Sequence, residues 1–245
     1  MNDEHQWIEG GLAVESVLQA ASREVHSIYI RHDRYDGRVA RLQQMAQRQG
    51  IPVTRAPADV IAGFVAGERH GGIIASVGPR RFSALDDLYT GASPVVFLID
   101  GVEDPYNFGQ AVRSMYAAGI EGLIVPPRNW LSAAATVIRA SAGASEYMPT
   151  AVSGTVDAVA LALARGLGVA VATSIDARPM NEVDLSGPLL LIIGGEKRGV
   201  ARAVEQAAEL RVSIPYGRKI EIALGTSSAV AVLAFEILRR RQAAQ

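Results

Sequence analysis

The sequence predicts an α/β protein in two parts: a helix-covered parallel sheet in the carboxyl-terminal part, preceded by a smaller alternating unit. Three observations predict it. Short apolar segments alternate with helix-periodic ones from residue 11 to the end, the pattern of strands joined by crossover helices. Two apolar segments, "PVVFLID" and "GPLLLIIGGE", are almost unbroken, as strands buried on both faces are. The chain of 245 residues is long for one domain and is interrupted by "PRRFSALDDLYTGAS", which has Pro, Gly and Ser and little periodicity. These place a first domain at residues 1–78, a linker at 79–93 and a second domain at 94–245.

In the first domain "GLAVESVLQAA" reads as a helix, "HSIYIRH" as a strand and "RVARLQQMAQRQG" as a helix stopped by Gly50. "IPVTRA" is a strand, "ADVIAGFVAG" a short helix and "HGGIIASVG" a strand opened by two glycines. In the second, "PVVFLID" leads into a helix from about Asn107 to Ala118. Then come the strand "EGLIVP", the helix "SAAATVIRASAG", the helix "TVDAVALALARG" and the strand "GVAVATSI". The strand "GPLLLIIGGE", the helix "GVARAVEQAAE", the strand "LRVSIP" and the long helix "TSSAVAVLAFEILRRRQ" complete it.

Composition narrows the chemistry. Apolar residues make up 49% of the chain and the formal net charge is −1, so a sizeable core is expected and any nucleic-acid contact must use a local basic face. There is no cysteine, which excludes disulfides, thiolate metal sites and cysteine nucleophiles. The opening "MNDEHQWIEGG" lacks the basic start and apolar core of a signal peptide, and no apolar run reaches the roughly 20 residues that span a bilayer. A cytoplasmic protein with no membrane contact is expected. The four histidines all fall within the first 70 residues, read as surface or turn positions, and no pair has metal-ligand spacing on a helix face. No metal is expected.

Ligands of open parallel sheets bind beyond the carboxyl ends of the strands. Three such ends are rich in Gly, Pro and polar residues: "LIDGVEDPYNFG", "LIIGGEKRG" and "VSIPYGRKIEIALGTSS". "GGEKRG" lacks the Gly-Lys-Ser/Thr ending of a phosphate-binding loop, and "GLGVAV" follows a helix where a dinucleotide fingerprint would follow a strand. Asp100 and Asp104 read as carboxylates favoured near a helix start. Arg113 lies inside the next helix among small and apolar residues; it reads as a buried functional cation or as an arginine snorkelling past Tyr116.

Together the three loops resemble the SpoU (TrmH) family of RNA ribose 2'-O-methyltransferases. The first family motif corresponds to Asp104, Pro105, Asn107, Gly109 and Arg113, the second to Gly194, Glu196 and Gly199, and the third begins at Ile214 and Pro215. "RASAGASEYMP" resembles the segment between the first two, and "EGGLAVESVLQA" with "HGGIIASV" resemble the ends of the family's substrate-binding domain. The two-domain arrangement looks most like the branch that modifies large-subunit ribosomal RNA, with the transfer RNA branch close. Two departures stand out. Gly225 occupies the place of the third motif's asparagine, and the loop from Ile214 is one residue longer. They motivate a second reading, a relative that holds RNA without methyl transfer.

The resemblance implies a deep trefoil knot in the parallel-sheet domain, S-adenosylmethionine as methyl donor, an RNA substrate and a homodimer. It places catalytic roles at Arg113, Asn107, Glu196 and Ser227. Cofactor contacts are implied at Gly194, Gly195, Gly199, Ile214, Pro215, Leu224 and Thr226. The basic residues Lys197, Arg198, Arg218 and Lys219, with Arg202 nearby, read as RNA phosphate contacts or as solvated surface charges. Thr226 and Ser227 read equally as caps of the final helix.

Overall fold

The computed structural model describes residues 6–65, 70–127, 133–195, 199–200, 202–219 and 222–243. They form two compact units, Met1–Arg81 with Asn129–Tyr147, and Phe82–Arg128 with Met148–Gln245.

The first unit holds a four-stranded sheet of β1 (Gln6–Glu9), β2 (Val25–Arg31), β3 (Val53–Ala56) and β4 (Ile73–Val77), in the order β1-β4-β2-β3. β4 runs antiparallel to both β1 and β2, and β2 runs parallel to β3. Ile28, Ile30, Ile73, Ala75 and Val77 point to one face and pack there with Val14 and Leu18 of α1 (Gly11–Ala20) and Leu42 of α2 (Gly37–Arg48). The period of two in the strands meets the helical period in one core. On the other face α3 (Ala58–Ala62) is shorter than the sequence suggests, and Trp7, Tyr29 and Phe64 form an aromatic group, with Trp7 stacked on Phe64 at 4.4 Å between ring centroids. β1 is absent from the sequence expectation. Its four residues are too few to show alternation, and pairing with β4 is what makes them a strand.

The helix expected at 132–143 is α5 (Ala134–Ala140), followed by α6 (Ala144–Tyr147). Ala134 and Ile138 belong to the core of the first unit. Glu146 of α6 is buried there and accepts from Nε of Arg23 at 3.0 Å and from the Ser22 hydroxyl. Arg80 also feels this carboxylate, while burial pulls its own guanidinium down to about 10, still cationic at neutral pH. A buried ion pair is weak evidence of net stability, but losing one partner strands the other charge.

The second unit is a seven-stranded parallel sheet, bearing out the expected α/β class. Its strands are β5 (Val95–Asp100), β6 (Gly122–Val125), β7 (Thr150–Val152), β8 (Gly168–Ala172), β9 (Arg178–Pro179), β10 (Leu189–Gly194) and β11 (Leu210–Ser213). The order is β7-β6-β5-β10-β8-β11-β9. The chain leaves β7 at the edge, crosses to β8 and returns to insert β10 between β8 and β5. Val96, Leu98, Leu190 and Ile192 pack on one face with Ala158 and Ala162 of α7 (Thr155–Ala164) and with Val204 of α8 (Arg202–Ala207). The alternate residues Phe97, Ile99, Leu191 and Ile193 are equally buried and point to the opposite face. α4 (Pro105–Ala117) and α9 (Thr226–Ala243) pack against each other, and α9 reaches β10. Burying a side chain such as Phe97 contributes roughly 2–3 kcal/mol.

The stretch expected to be a linker is partly structured. Asp86–Tyr89 form a 3-10 helix. Leu88 and Tyr89 are buried, and the Tyr89 hydroxyl donates to the Ala158 carbonyl at 3.2 Å. Burial raises this phenol above its usual range. Two apolar residues in a polar segment gave no periodicity to read. At the other end of α9, Arg241 donates to Glu121 (2.8 Å), to the Ser186 carbonyl and to the Ser93 carbonyl, tying the helix to the amino ends of β5, β6 and β10. Among the described residues no helix is long and apolar enough to cross a membrane.

Glu146→Ala should cost about 3–5 kcal/mol in urea unfolding, because the buried Arg23 loses its anion; a loss below about 1 kcal/mol would contradict the role given to this pair. On α9, the bonded guanidinium of Arg239, and then that of Arg240, hold the Glu236 carboxyl down to about 2. A pKa depressed on folding stabilises the fold above the ordinary value of 4.5, and that contribution fades as pH falls towards 2. The urea midpoint should therefore drop across this window, and less steeply in Glu236→Gln.

Candidate active site

The three polar loops lie where the topology requires, at the carboxyl ends of β5, β10 and β11. β10 separates β5 from β8, so the crevice at this end lies beside the point where strand order reverses.

The first loop turns at Gly101, with φ +85°. Asp100, the last residue of β5, accepts from the Thr155 hydroxyl at 3.2 Å. Asp104 caps α4: its carboxylate accepts from the backbone N–H of Tyr106 (2.6 Å) and Asn107 (3.1 Å), and Pro105 takes the first helical position. A proline there gives up no hydrogen bond, and such a cap contributes about 1 kcal/mol. The Asp-Pro pair therefore has a complete local reason and serves to aim the helix. Asn107 follows in the first turn, partly exposed, while Gly109 is buried within α4.

Of the two readings offered by the sequence, Arg113 fits the one that reaches solvent, not the buried one. It is exposed, on a helix whose buried side is formed by Phe108, Gly109, Ala111, Val112 and Met115. The neighbours in sequence are apolar, but position 113 falls between the buried positions 112 and 115 and faces outward. Among the described residues it makes no ion pair.

The second loop leaves β10 at Gly194 and Gly195. A Cβ on Gly195 would fall 2.5 Å from the Gly101 carbonyl carbon, and one on Gly194 would fall 2.7 Å from the Val200 nitrogen. Neither can be accommodated without moving backbone. Gly199, at φ +60°, returns the loop and donates its N–H to the Gly195 carbonyl at 3.0 Å. Glu196, Lys197 and Arg198 lie outside the described residues, as does the side chain of Arg202.

The third loop starts at Ile214, half-buried, and Pro215, exposed. The Leu224 N–H donates to the Tyr216 hydroxyl at 2.9 Å, so the two sides of the lengthened loop are tied to each other. Leu224, Arg218 and Lys219 are exposed. α9 begins at Thr226, and the Gly225 carbonyl accepts from the N–H of Ser228 and Ala229. Gly225 thus occupies the position expected of a hydroxyl cap, Thr226 is buried and Ser227 is half-buried in the first turn.

The structure brings the Gly194–Gly195 turn against the first loop and assigns Tyr216 to the third. It also adds Gly101 and Tyr216 to the residues singled out from the sequence. Gly101 carried a signal, a glycine directly after a buried strand. Tyr216 carried none, because its partner lies across a loop.

Residues 94–235 match the SpoU rRNA Methylase family, and residues 7–83 match the RNA 2'-O ribose methyltransferase substrate-binding family. The chain is 30% identical over 252 residues to the 23S rRNA (guanosine-2'-O-)-methyltransferase RlmB of Xylella fastidiosa, covering 98% of this chain and 99% of the relative. It is 30% identical over 244 residues to RlmB of Pseudomonas aeruginosa, covering 96% and 98%. The fold is similar to the AdoMet-bound rRNA methyltransferase of Sinorhizobium meliloti, with a TM-score of 0.82 at 21% identity over 96% of this chain and 87% of that one.

The glycine contacts can be tested directly. Gly195→Ala should lower stability by about 3 kcal/mol in urea unfolding. Gly187→Ala, where a Cβ meets nothing within 4 Å, should stay within about 0.5 kcal/mol of the parent; equal effects would refute the close-packing argument.

Proposed function

The chain belongs to the SpoU rRNA Methylase family, and from that premise we propose that it transfers a methyl group from S-adenosylmethionine to a ribose 2'-hydroxyl in RNA, in large-subunit ribosomal RNA above transfer RNA. The observation that carries the reading is the close packing of backbone on backbone at the carboxyl ends of β5 and β10, Gly195 against Gly101 and Gly194 against Val200. Strand ends without side chains leave backbone N–H and C=O groups as the local donors and acceptors, which suits a ligand with an adenine ring and an amino-acid tail. Gly199, Pro215 and Thr226 complete the proposed cofactor contacts.

When bound, S-adenosylmethionine supplies an electrophilic methyl group on a sulfonium. The protein's own residues must position the ribose and stabilise the hydroxyl as it loses its proton. Arg113 is always charged, so it acts as electrostatic stabiliser and phosphate clamp, and deprotonation falls to another acceptor. An exposed guanidinium does little in water; RNA or a second copy must cover Arg113 before it acts. Asn107 orients the ribose from the capped first turn of α4. Glu196 is assigned to hold Arg113 or the substrate, and Ser227 to offer a hydroxyl from the first turn of α9. Lys197, Arg198, Arg218 and Lys219 are assigned to phosphates, which makes binding salt-dependent.

The substrate-binding domain is placed at 1–78 and the methyltransferase domain at 94–245. The insertion of β10 between β5 and β8 supports a knotted passage of the final segment. Tyr106 and Tyr116 of α4 and Phe235 of α9 are exposed and support a homodimer through these helices. A cytoplasmic location goes with an RNA substrate.

The test is calorimetric titration with S-adenosylmethionine, followed by transfer of labelled methyl to ribosomal RNA. One site per chain and measurable transfer are expected. Arg113→Ala should reduce transfer at least about 100-fold while leaving cofactor affinity unchanged. Saturable RNA binding with neither cofactor binding nor transfer would favour the binding-only relative.

A further inference from the structure

The corner between β2 and α2 concentrates charge that the rest of the chain lacks. Residues 31–55 contain six arginines against two aspartates, a formal +4 in a chain of net −1. α2 itself has no acidic residue.

The arrangement is built, not scattered. Tyr35 at the turn is 81% exposed. The Arg55 guanidinium lies under its ring, 4.5 Å from the centroid. The same guanidinium donates to the carbonyls of His32 (2.9 Å) and Arg34 (2.8 Å), so one side chain fixes the turn and props the ring outward.

The glycines flanking this corner make room for arginine stems. A Cβ on Gly72 would meet Cβ of Arg31 at 2.9 Å and Cγ of Arg34 at 3.2 Å. A Cβ on Gly11 would meet Cδ of Arg38 at 2.8 Å. These glycines belong to "EGGLAVESVLQA" and "HGGIIASV", the two ends of the first domain, which bracket the arginine segment in sequence. Glu15 pairs with Arg38 and Arg41 at 3.2 Å each, yet only 12% of its side chain is exposed, against 43% and 58% of theirs. The carboxylate sits beneath and the guanidinium groups face solvent.

We propose that this corner grips the RNA substrate, with Tyr35 stacking an unpaired base and Arg34, Arg38 and Arg41 holding the adjoining phosphates. An anionic surface alone would use the arginines and leave the ring idle. A propped aromatic face amid guanidinium groups suits a ligand with both phosphates and planar bases. The phenol ring, held from below, loses little freedom on stacking. The inference rests on the RNA-methyltransferase reading and adds the face by which the first unit holds the substrate.

The full-length protein would be titrated by fluorescence anisotropy with an RNA hairpin carrying an unpaired loop, with a fully paired duplex of equal length, and with phosphatidylserine vesicles. Tyr35→Ala should weaken hairpin binding about 10-fold and leave duplex binding and circular dichroism unchanged, while Tyr35→Phe binds as the parent does. Replacing Arg34 and Arg41 together by Gln should flatten the dependence of log affinity on log salt by about 1.4. Hairpin binding by Tyr35→Ala equal to that of the parent overturns the stacking role. An effect of Tyr35→Ala on vesicles but not on the hairpin overturns RNA as the occupant. Failure of the parent to bind S-adenosylmethionine or transfer methyl groups would instead sink the underlying functional reading, and is scored in assays that do not involve Tyr35.

Discussion

Backbone touches backbone where β5 and β10 end, at Gly101 and Gly195, and the second unit is organised around that contact. Parallel pairing brings Gly194 level with Asp100, so the two loops leave the sheet side by side, too close for a Cβ on Gly195, while the return of its own loop at Val200 leaves no room for one on Gly194. The close approach also sets where α4 begins, because only Val102 and Glu103 separate the Gly101 turn from the Asp104 cap.

From that start the helix geometry follows. The Asp104 cap and Pro105 aim α4, and its buried stripe fixes its rotation against α9. Asn107 is thereby held in the first turn, and Arg113 is turned outward roughly 9 Å further along, at 1.5 Å per residue. An exposed cation at that distance needs a low-dielectric neighbour to stabilise a developing alkoxide. In the proposed mechanism the chemistry therefore depends on what docks over α4 as much as on the crevice itself. The bond from the Leu224 N–H to the Tyr216 hydroxyl restrains the third loop ahead of Gly225.

The first unit is held by a different constraint. Glu146 comes from a segment that continues the chain of the second unit, yet its carboxylate is buried with Arg23 and Ser22. Helices α5 and α6 accordingly complete the core of the first unit. The same unit turns its arginines outward along α2 and the β2–α2 turn, over glycines placed to receive them. Arg23 is buried and structural, whereas Arg34, Arg38 and Arg41 pair with Asp36 and Glu15 and keep their guanidinium groups toward solvent.

Local chemistry was legible without the structure. Unbroken apolar runs marked β5 and β10, helical periodicity marked α2, α7 and α9, and the Asp-Pro start of α4 and the glycine turn after β10 could be read as written. These depend on interactions spanning a few residues, which sequence spacing reports directly. The insertion of β10 between β5 and β8, the membership of residues 134–147 in the first core, the outward turn of Arg113 and the seating of Arg31 and Arg38 over Gly72 and Gly11 were decided by tertiary structure alone. Each depends on which face of an element is covered by a segment far away in the chain, and burial of that kind leaves no trace in local periodicity.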